Sequence, residues 1–310
     1  MFSHSVFNPM SPMAQAISNL FIFLMLASAF VIAGLVVTLG YTLPRFRHRR
    51  GQGDPPPTFG RLDAEIVWTV LPTLLMVVVF ATTITTMRLS EPGATTSGQK
   101  APASTSSLEV IAHQWWWEFR YPSGVVTANV AYIPLHTRLL VAMKSVDVIH
   151  DLWVPQLAGK IDNVPGQTNH TWWQADQPGV YESACVEYCG DGHAWMRAQI
   201  IAVPQAQFVA WERHQLQPAR TPTTALQKEG ERLFGTLSCV NCHVVQDIGP
   251  NLTHFGSRPI VAGEALTNTP ANVAKWLHNP SLSKPGVHMP NLNLTNAEVK
   301  ALTAYLESLQ

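Results

Sequence analysis

Charge is scarce in this sequence. Only 13% of its 310 residues are Asp, Glu, Lys or Arg, against about 25% in an ordinary soluble domain. Lys and Arg total 20, as do Asp and Glu, so the net charge is zero. No global field draws nucleic acid, which argues against that class of partner. Cysteine is equally sparse: four residues in two tight pairs, Cys185 with Cys189 and Cys239 with Cys242. A disulfide framework spreads its cysteines to staple distant loops, so these pairs read as two local sites. Internal repeats and polar low-complexity tracts are absent, and 46% of the residues are hydrophobic. That composition argues against disorder. The length suits about two domains of roughly 150 residues. Against this background ten Trp, twenty-three Pro and twelve His stand out, and so many histidines suggest metal or haem chemistry.

Residues 17–43 and 66–87 contain no charge. A spanning helix needs about 20 apolar residues, so each run is long enough, and Pro72 is tolerated as in other membrane helices. The first run is too long for the apolar core of a cleaved signal, and no basic residue precedes it. Residues 1–89 therefore read as a transmembrane hairpin. Its loop carries Arg45, Arg47, Arg49, Arg50 and Arg61, whereas residues 1–44 carry no Lys or Arg. The positive-inside rule puts loop 44–64 in the cytoplasm and both termini outside. In a bacterium, everything after residue 89 then lies on the periplasmic or outer face of the plasma membrane.

Residues 90–107 are small, polar and Pro-containing, as in a linker. From 108 to 204 short apolar runs (LEVIA, VVTANVAYI, RLLVAM, AQIIAV) alternate with Pro, Gly, Asn and Asp turns, which predicts a β-sandwich or barrel. Residues 205–224 read as a second linker. Beyond it, 225–237, 270–278 and 296–309 carry helix-period apolar residues, and Thr295 with Glu298 forms a capping box. Residues 225–310 are thus a second extramembrane domain, all helical.

The segment CVEYCGDGHAWM places Cys185, Cys189, His193 and Met196 within twelve residues. Thiolate and thioether are soft ligands suited to Cu(I), and imidazole suits either copper oxidation state. A structural zinc site has no use for the thioether; a periplasmic disulfide between the thiols is the blander alternative. The Gly190-Asp191-Gly192 turn lets the backbone fold so that the four side chains converge.

Cys185-x-Glu187-x-Cys189-xxx-His193-xx-Met196 resembles the dinuclear CuA motif of cytochrome c oxidase subunit II. The family's other recurring segments are matched by Asp147-Val148-Ile149-His150, by Gln114-Trp115-Trp116-Trp117, and by Lys160, Asp162, Pro165 and Gly166. Together with the hairpin, the resemblance covers residues 15–204. It implies a cupredoxin-like fold in which Cys185 and Cys189 bridge two copper ions. His150 and His193 would bind one copper each, with Met196 and the Glu187 backbone carbonyl as weaker ligands. It further implies a magnesium ion shared with subunit I at the Glu187 side chain, electron entry at Trp115 and proton collection at Glu65. One departure is Gln167, where many relatives carry Arg after the Pro-Gly. The remaining histidines of the domain, His113, His136 and His170, read as structural.

Cys239-Val240-Asn241-Cys242-His243 is the attachment pattern of c-type haem with an axial His; a thioredoxin-like dithiol would sit in a βαβ neighbourhood instead. Met289 is the only Met after His243 and the favoured second axial ligand, with His254, His278 and His288 as rivals. The CxxCH, the Gly249-Pro250-Asn251-Leu252 loop and Met289-Pro290 resemble class I cytochrome c. Taken together, the modules resemble subunit II of a caa-type oxidase. The implied partners are subunit I with haem a and CuB, other oxidase subunits, membrane lipid and an external donor such as a cytochrome c. Two other functions use similar parts: the electron-accepting CuA subunit of a nitric oxide reductase, and a membrane-tethered copper-binding or delivery protein. A haem domain disfavours delivery, which has no need of a redox relay.

Overall fold

The computed structural model describes residues 5–47, 51, 53, 57, 59–91, 108–243 and 248–310. Arg49, Arg50 and most of the expected 90–107 linker lie outside the described residues. The chain divides into two units, residues 15–90 and residues 1–14 with 91–310.

The first unit is built from helices α1 (Pro12–Arg45) and α2 (Leu62–Ser90), both long and apolar enough to cross a membrane. Both overrun the charge-free stretches at 17–43 and 66–87, because helical hydrogen bonding does not stop where the apolar run stops. Pro12 opens α1 without losing a hydrogen bond, and the Ser11 hydroxyl caps it by accepting the Ala14 N–H at 2.9 Å. Asp63 and Glu65 sit in the first turn of α2, where carboxylates favour the helix dipole. Within α2 the hydroxyls of Thr73, Thr83 and Thr85 donate to carbonyls one turn back at 2.7–2.8 Å, which leaves few polar groups for lipid to meet. No α2 side chain is buried within the chain.

The second unit begins as two five-stranded sheets. One has the order β3-β2-β1-β5-β8, from β1 (Leu108–His113), β2 (Trp116–Arg120), β3 (Val126–Ala128), β5 (Leu139–Ser145) and β8 (Asn169–Trp173). The other runs β4-β10-β9-β6-β7, from β4 (Val130–Pro134), β6 (His150–Trp153), β7 (Asp162–Asn163), β9 (Gly179–Cys185) and β10 (Arg197–Val203). The pairings β1–β5 and β4–β10 are parallel, as crossed connections between the sheets require. Period-two alternation turns Ala198, Ile200 and Ala202 of β10 inward. They share one buried core with Trp117, Phe119 and Ile133, and burying each large side chain contributes about 1.5–3 kcal/mol.

The segment 205–224, expected as a linker, instead contains an eleven-residue helix, α3 (Gln205–Gln215). Phe208 and Trp211, three residues apart on one face, pack on the sandwich, with Trp211 stacked on Tyr132 at 4.6 Å. Tertiary contact, more than propensity, holds this helix.

The last domain comprises α4 (Ala225–Thr236), α5 (Cys239–His243), α6 (Pro270–His278), α7 (Pro280–Ser283) and α8 (Asn296–Ser308). Its only strands among the described residues are the two-residue pair Ile260–Val261 and Leu266–Thr267. Capping boxes at Thr224/Gln227 and Thr295/Glu298 start α4 and α8. These helices cross at Gly230, where a Cβ would lie 2.1 Å from the Ala301 carbonyl oxygen. Only a glycine admits that approach.

Candidate copper and haem centres

β6 and β9 pair through Leu152↔Cys185, which places His150 at the start of one strand beside Cys185 at the end of the other. The loop after β9 returns Cys189, and the 3-10 turn His193–Trp195 hands the chain on to Met196 and β10. Gly190 makes the return at φ +112°, in the left-handed region that glycine tolerates.

The donor atoms cluster. Cys185 Sγ lies 3.8 Å from Cys189 Sγ, 3.9 Å from His150 Nδ1 and 3.2 Å from the Glu187 carbonyl oxygen. Cys189 Sγ lies 3.5 Å from His193 Nδ1 and 3.9 Å from Met196 Sδ. A disulfide would need about 2.05 Å between the sulfurs, so that alternative fails. Tetrahedral donors about 2.3 Å from a metal stand roughly 3.8 Å apart, and the observed spacings match. His150, Cys185, Cys189 and Met196 are all buried. The donor set is soft, dry and convergent, and it fits copper.

The buried groups of the cluster shift one another's titration. The Cys189 thiol donates to Cys185, which pulls the Cys185 pKa down and pushes that of Cys189 up. Burial opposes charge on His150, but the hydrogen bond with Asp147 and then Cys185 outweigh it and raise its pKa. The Asp147 carboxylate faces the same opposition from burial, overcome by hydrogen bonds from His150 and from the Val148 and Gln114 N–H groups. Asp147 Oδ1 holds His150 Nε2 at 2.8 Å, so Nδ1 is the nitrogen turned to the sulfurs. The sequence offered one signal for this orienting role: the acid stands three residues before the histidine.

Trp115 and Gln114 also serve the loop, their Nε1 and Nε2 donating to the Cys189 carbonyl at 2.9 and 2.7 Å. Gln114 opens the Gln114–Trp117 run noted in the sequence, but nothing there pointed to its bond with the copper loop. The Glu187 side chain is exposed. His113 pairs with buried Glu118 at 3.2 Å, His136 lies near Asp176 and His170 is exposed on β8. None joins the cluster.

In the helical domain, Cys239, Cys242, His243, His288, Met289 and Trp276 line one apolar cleft of about 360 Å³. His243 Nδ1–H donates to the Pro250 carbonyl at 2.9 Å, which fixes the tautomer and leaves Nε2 as a ligand atom. Burial lowers its pKa, which favours the neutral imidazole. Gly249 lets the loop close, since a Cβ there would sit 3.1 Å from the Cys242 carbonyl oxygen. Paired thiols, a poised imidazole and apolar walls fit a covalently held haem. Of the rival axial residues, His254 is turned to the carbonyls of Gln215 and Gln217 at 3.2 and 3.0 Å, and His278 lies outside the cleft lining.

Glu65 is exposed on the first turn of α2, its N–H bonded to the Arg61 carbonyl. It belongs to the other unit, away from both centres in the sequence.

Three family models match in tandem: cytochrome c oxidase subunit II, transmembrane domain, over residues 5–85; the periplasmic domain of the same subunit over 124–203; and cytochrome c over 227–310. Cytochrome c oxidase subunit 2 of Alkalihalophilus pseudofirmus is 34% identical over 98% of this chain and 90% of its own length. The Bacillus sp. PS3 subunit 2 is 35% identical over 86% and 80%. The solved periplasmic domain of subunit II from Bradyrhizobium japonicum is 27% identical, with a TM-score of 0.35 over 37% of this chain and 95% of that one. Two long apolar helices, the sulfur–imidazole cluster and the haem-type cleft thus occur in the order of those models, and the chain belongs to the cytochrome c oxidase subunit 2 family, in its form with a cytochrome c domain.

Proposed function

We propose that the chain is the electron-entry relay of a proton-translocating oxidase: electrons from an external cytochrome c donor reach haem c, then CuA, then subunit I, where oxygen is reduced. The observation that carries this reading is the coexistence, in one folded unit, of a soft dinuclear-type donor cluster and a CxxCH cleft. Bound, the two groups supply one-electron transfer with little change of ligand geometry.

The chain's residues hold and tune them. Cys185 and Cys189 would hold the coppers, with His150, His193, Met196 and the Glu187 carbonyl completing the donor set. Asp147 fixes the His150 ring, and burial keeps water from the sulfurs. Cys239 and Cys242 would carry the haem through thioethers, and His243 and Met289 would ligate its iron; His288 stands beside Met289 as the competitor. Trp115 carries electrons toward the coppers. The exposed carboxylate of Glu187 is free to take a magnesium ion at the surface facing subunit I. Gln167 is exposed and donates to Asn169 at 2.9 Å; being uncharged, it offers subunit I no ionic contact of its own. Arginines in loop 44–64 favour a cytoplasmic loop, with the copper and haem domains periplasmic. Glu65 then lies at the cytoplasmic end of α2, where it collects protons for subunit I.

The test is to purify the intact complex from membranes and to measure copper, covalent haem, haem a and oxygen uptake with reduced cytochrome c. Cys185→Ser should remove the mixed-valence copper signal and oxygen uptake while leaving covalent haem in place. A mononuclear blue-copper spectrum, or a complex without haem a, would sink the reading.

A further inference from the structure

The haem cleft has a wall that the cytochrome domain does not own. Gln114, Trp115 and Trp116 line it alongside Cys242 and His288. The Trp115 indole lies between two layers. On one side are Gly190 and Gly192, where an added Cβ would come within 2.9 and 2.5 Å of the ring. On the other, the His288 ring packs with centroids 4.6 Å apart. Just before His288, Lys284 is only 3% exposed, and its Nζ donates to the Trp115 carbonyl oxygen.

Two glycines bring the domains this close. At Gly286, φ +83°, a Cβ would stand 2.8 Å from Cβ of Asp191. At Gly263, φ +67°, it would stand 3.1 Å from the Lys284 Nζ and 3.2 Å from the Trp195 carbonyl oxygen. Gln199 Nε2 adds a bond to Glu264 Oε1 at 2.8 Å. Both backbones therefore approach along the copper loop itself.

Burying an ammonium is costly unless its protons find acceptors, and burial drives the Lys284 pKa down to about 7. Packing alone would be served as well by an apolar side chain of the same length. The lysine therefore contributes a directed bond across the seam.

We propose that Lys284 is a positioning residue, a latch that bonds the Trp115 carbonyl and holds the haem-bearing face of the cytochrome domain against the copper domain. The proposal rests on the assignment of the two centres given above. With the latch closed, the haem held in the cleft would face the wall carrying the copper loop, and one electron would pass between the two groups with no bond or proton exchanged.

The test uses the intact complex. Lys284→Met keeps the stem and removes the donor, and Lys284→Arg restores a donor. After flash reduction of the haem, copper reduction should slow about tenfold in Lys284→Met, the shift in a docked–open equilibrium expected from leaving the Trp115 carbonyl without its donor. Lys284→Arg should recover most of the rate. Haem and copper spectra, and the rate at which the external donor reduces the haem, should match wild type. Transfer at the wild-type rate in Lys284→Met overturns the latch, as does an Arg variant as slow as the Met one. A second measurement needs no variant: an amine-acylating reagent should modify exposed Lys228 and Lys300 in the wild-type complex and spare Lys284. Equal labelling overturns the proposal. Missing covalent haem or a missing copper signal in wild type would overturn the assignment of the centres instead, and labelling would still decide the latch.

Discussion

Asp147 grips Nε2 of His150 at 2.8 Å, and the opposite ring nitrogen faces the Cys185 sulfur. The acid is itself held by the Gln114 and Val148 N–H groups at 2.6 and 2.7 Å. The imidazole is therefore oriented by protein groups on the side away from the sulfurs. Asp147→Ala should weaken copper retention by about 10–100-fold while covalent haem stays at the wild-type level. Chelator competition followed by the copper spin signal reads this directly; unchanged retention would show that burial alone orients the ring.

Met289 and His288 are adjacent on the cleft wall, but the His288 ring is engaged with Trp115. Met289→His should lower the haem potential, because imidazole in place of thioether removes a ligand that favours ferrous iron. Redox titration of the haem band is the measurement. A potential and ligand spectrum identical to wild type would mean that Met289 does not ligate.

Gly230 marks the crossing of α4 and α8. An alanine there drives its Cβ toward the Ala301 carbonyl oxygen and Cβ of Tyr305, at 2.1 and 2.6 Å. Backbone cannot yield as a flexible side chain does, so Gly230→Ala should cost about 1–3 kcal/mol of cytochrome-domain stability. Thermal unfolding followed at the haem band should report an earlier transition, with the copper signal unmoved.

Glu65→Ala should slow oxygen consumption at saturating reduced donor and leave haem c to copper transfer intact, if this acid feeds protons to subunit I. Turnover with wild-type rate and pH profile in an assembled complex would reduce Glu65 to a helix-end carboxylate favouring the α2 dipole.

Features set by short-range chemistry were legible in the sequence. The Thr295/Glu298 box, the Pro-initiated helix at Pro270 and the thiol–imidazole spacing each carry their signal within a few residues. The α3 helix was not legible: Pro204 offers it no side-chain cap, and its stability comes from Trp211 on Tyr132, a contact 79 positions back along the chain. The Thr224/Gln227 box did carry a local signal, T-x-x-Q, that helix periodicity alone passes over. Lys284 had none. A lysine in a Ser- and Pro-rich stretch looks solvated until the facing domain is in place.

Because α3 is bound to the sandwich and α4 begins at Ala225, only residues 216–224 join the two redox domains. His254 shortens even that, through its bonds to the Gln215 and Gln217 carbonyls. Even without those bonds, nine residues of flexible chain would span only roughly 17 Å on average, and so short a tether keeps one domain at an effective concentration on the order of millimolar about the other. In the proposed relay, transfer from haem to copper is then a first-order event. Dilution and ionic strength should act on the encounter with the external donor and leave the internal step unchanged.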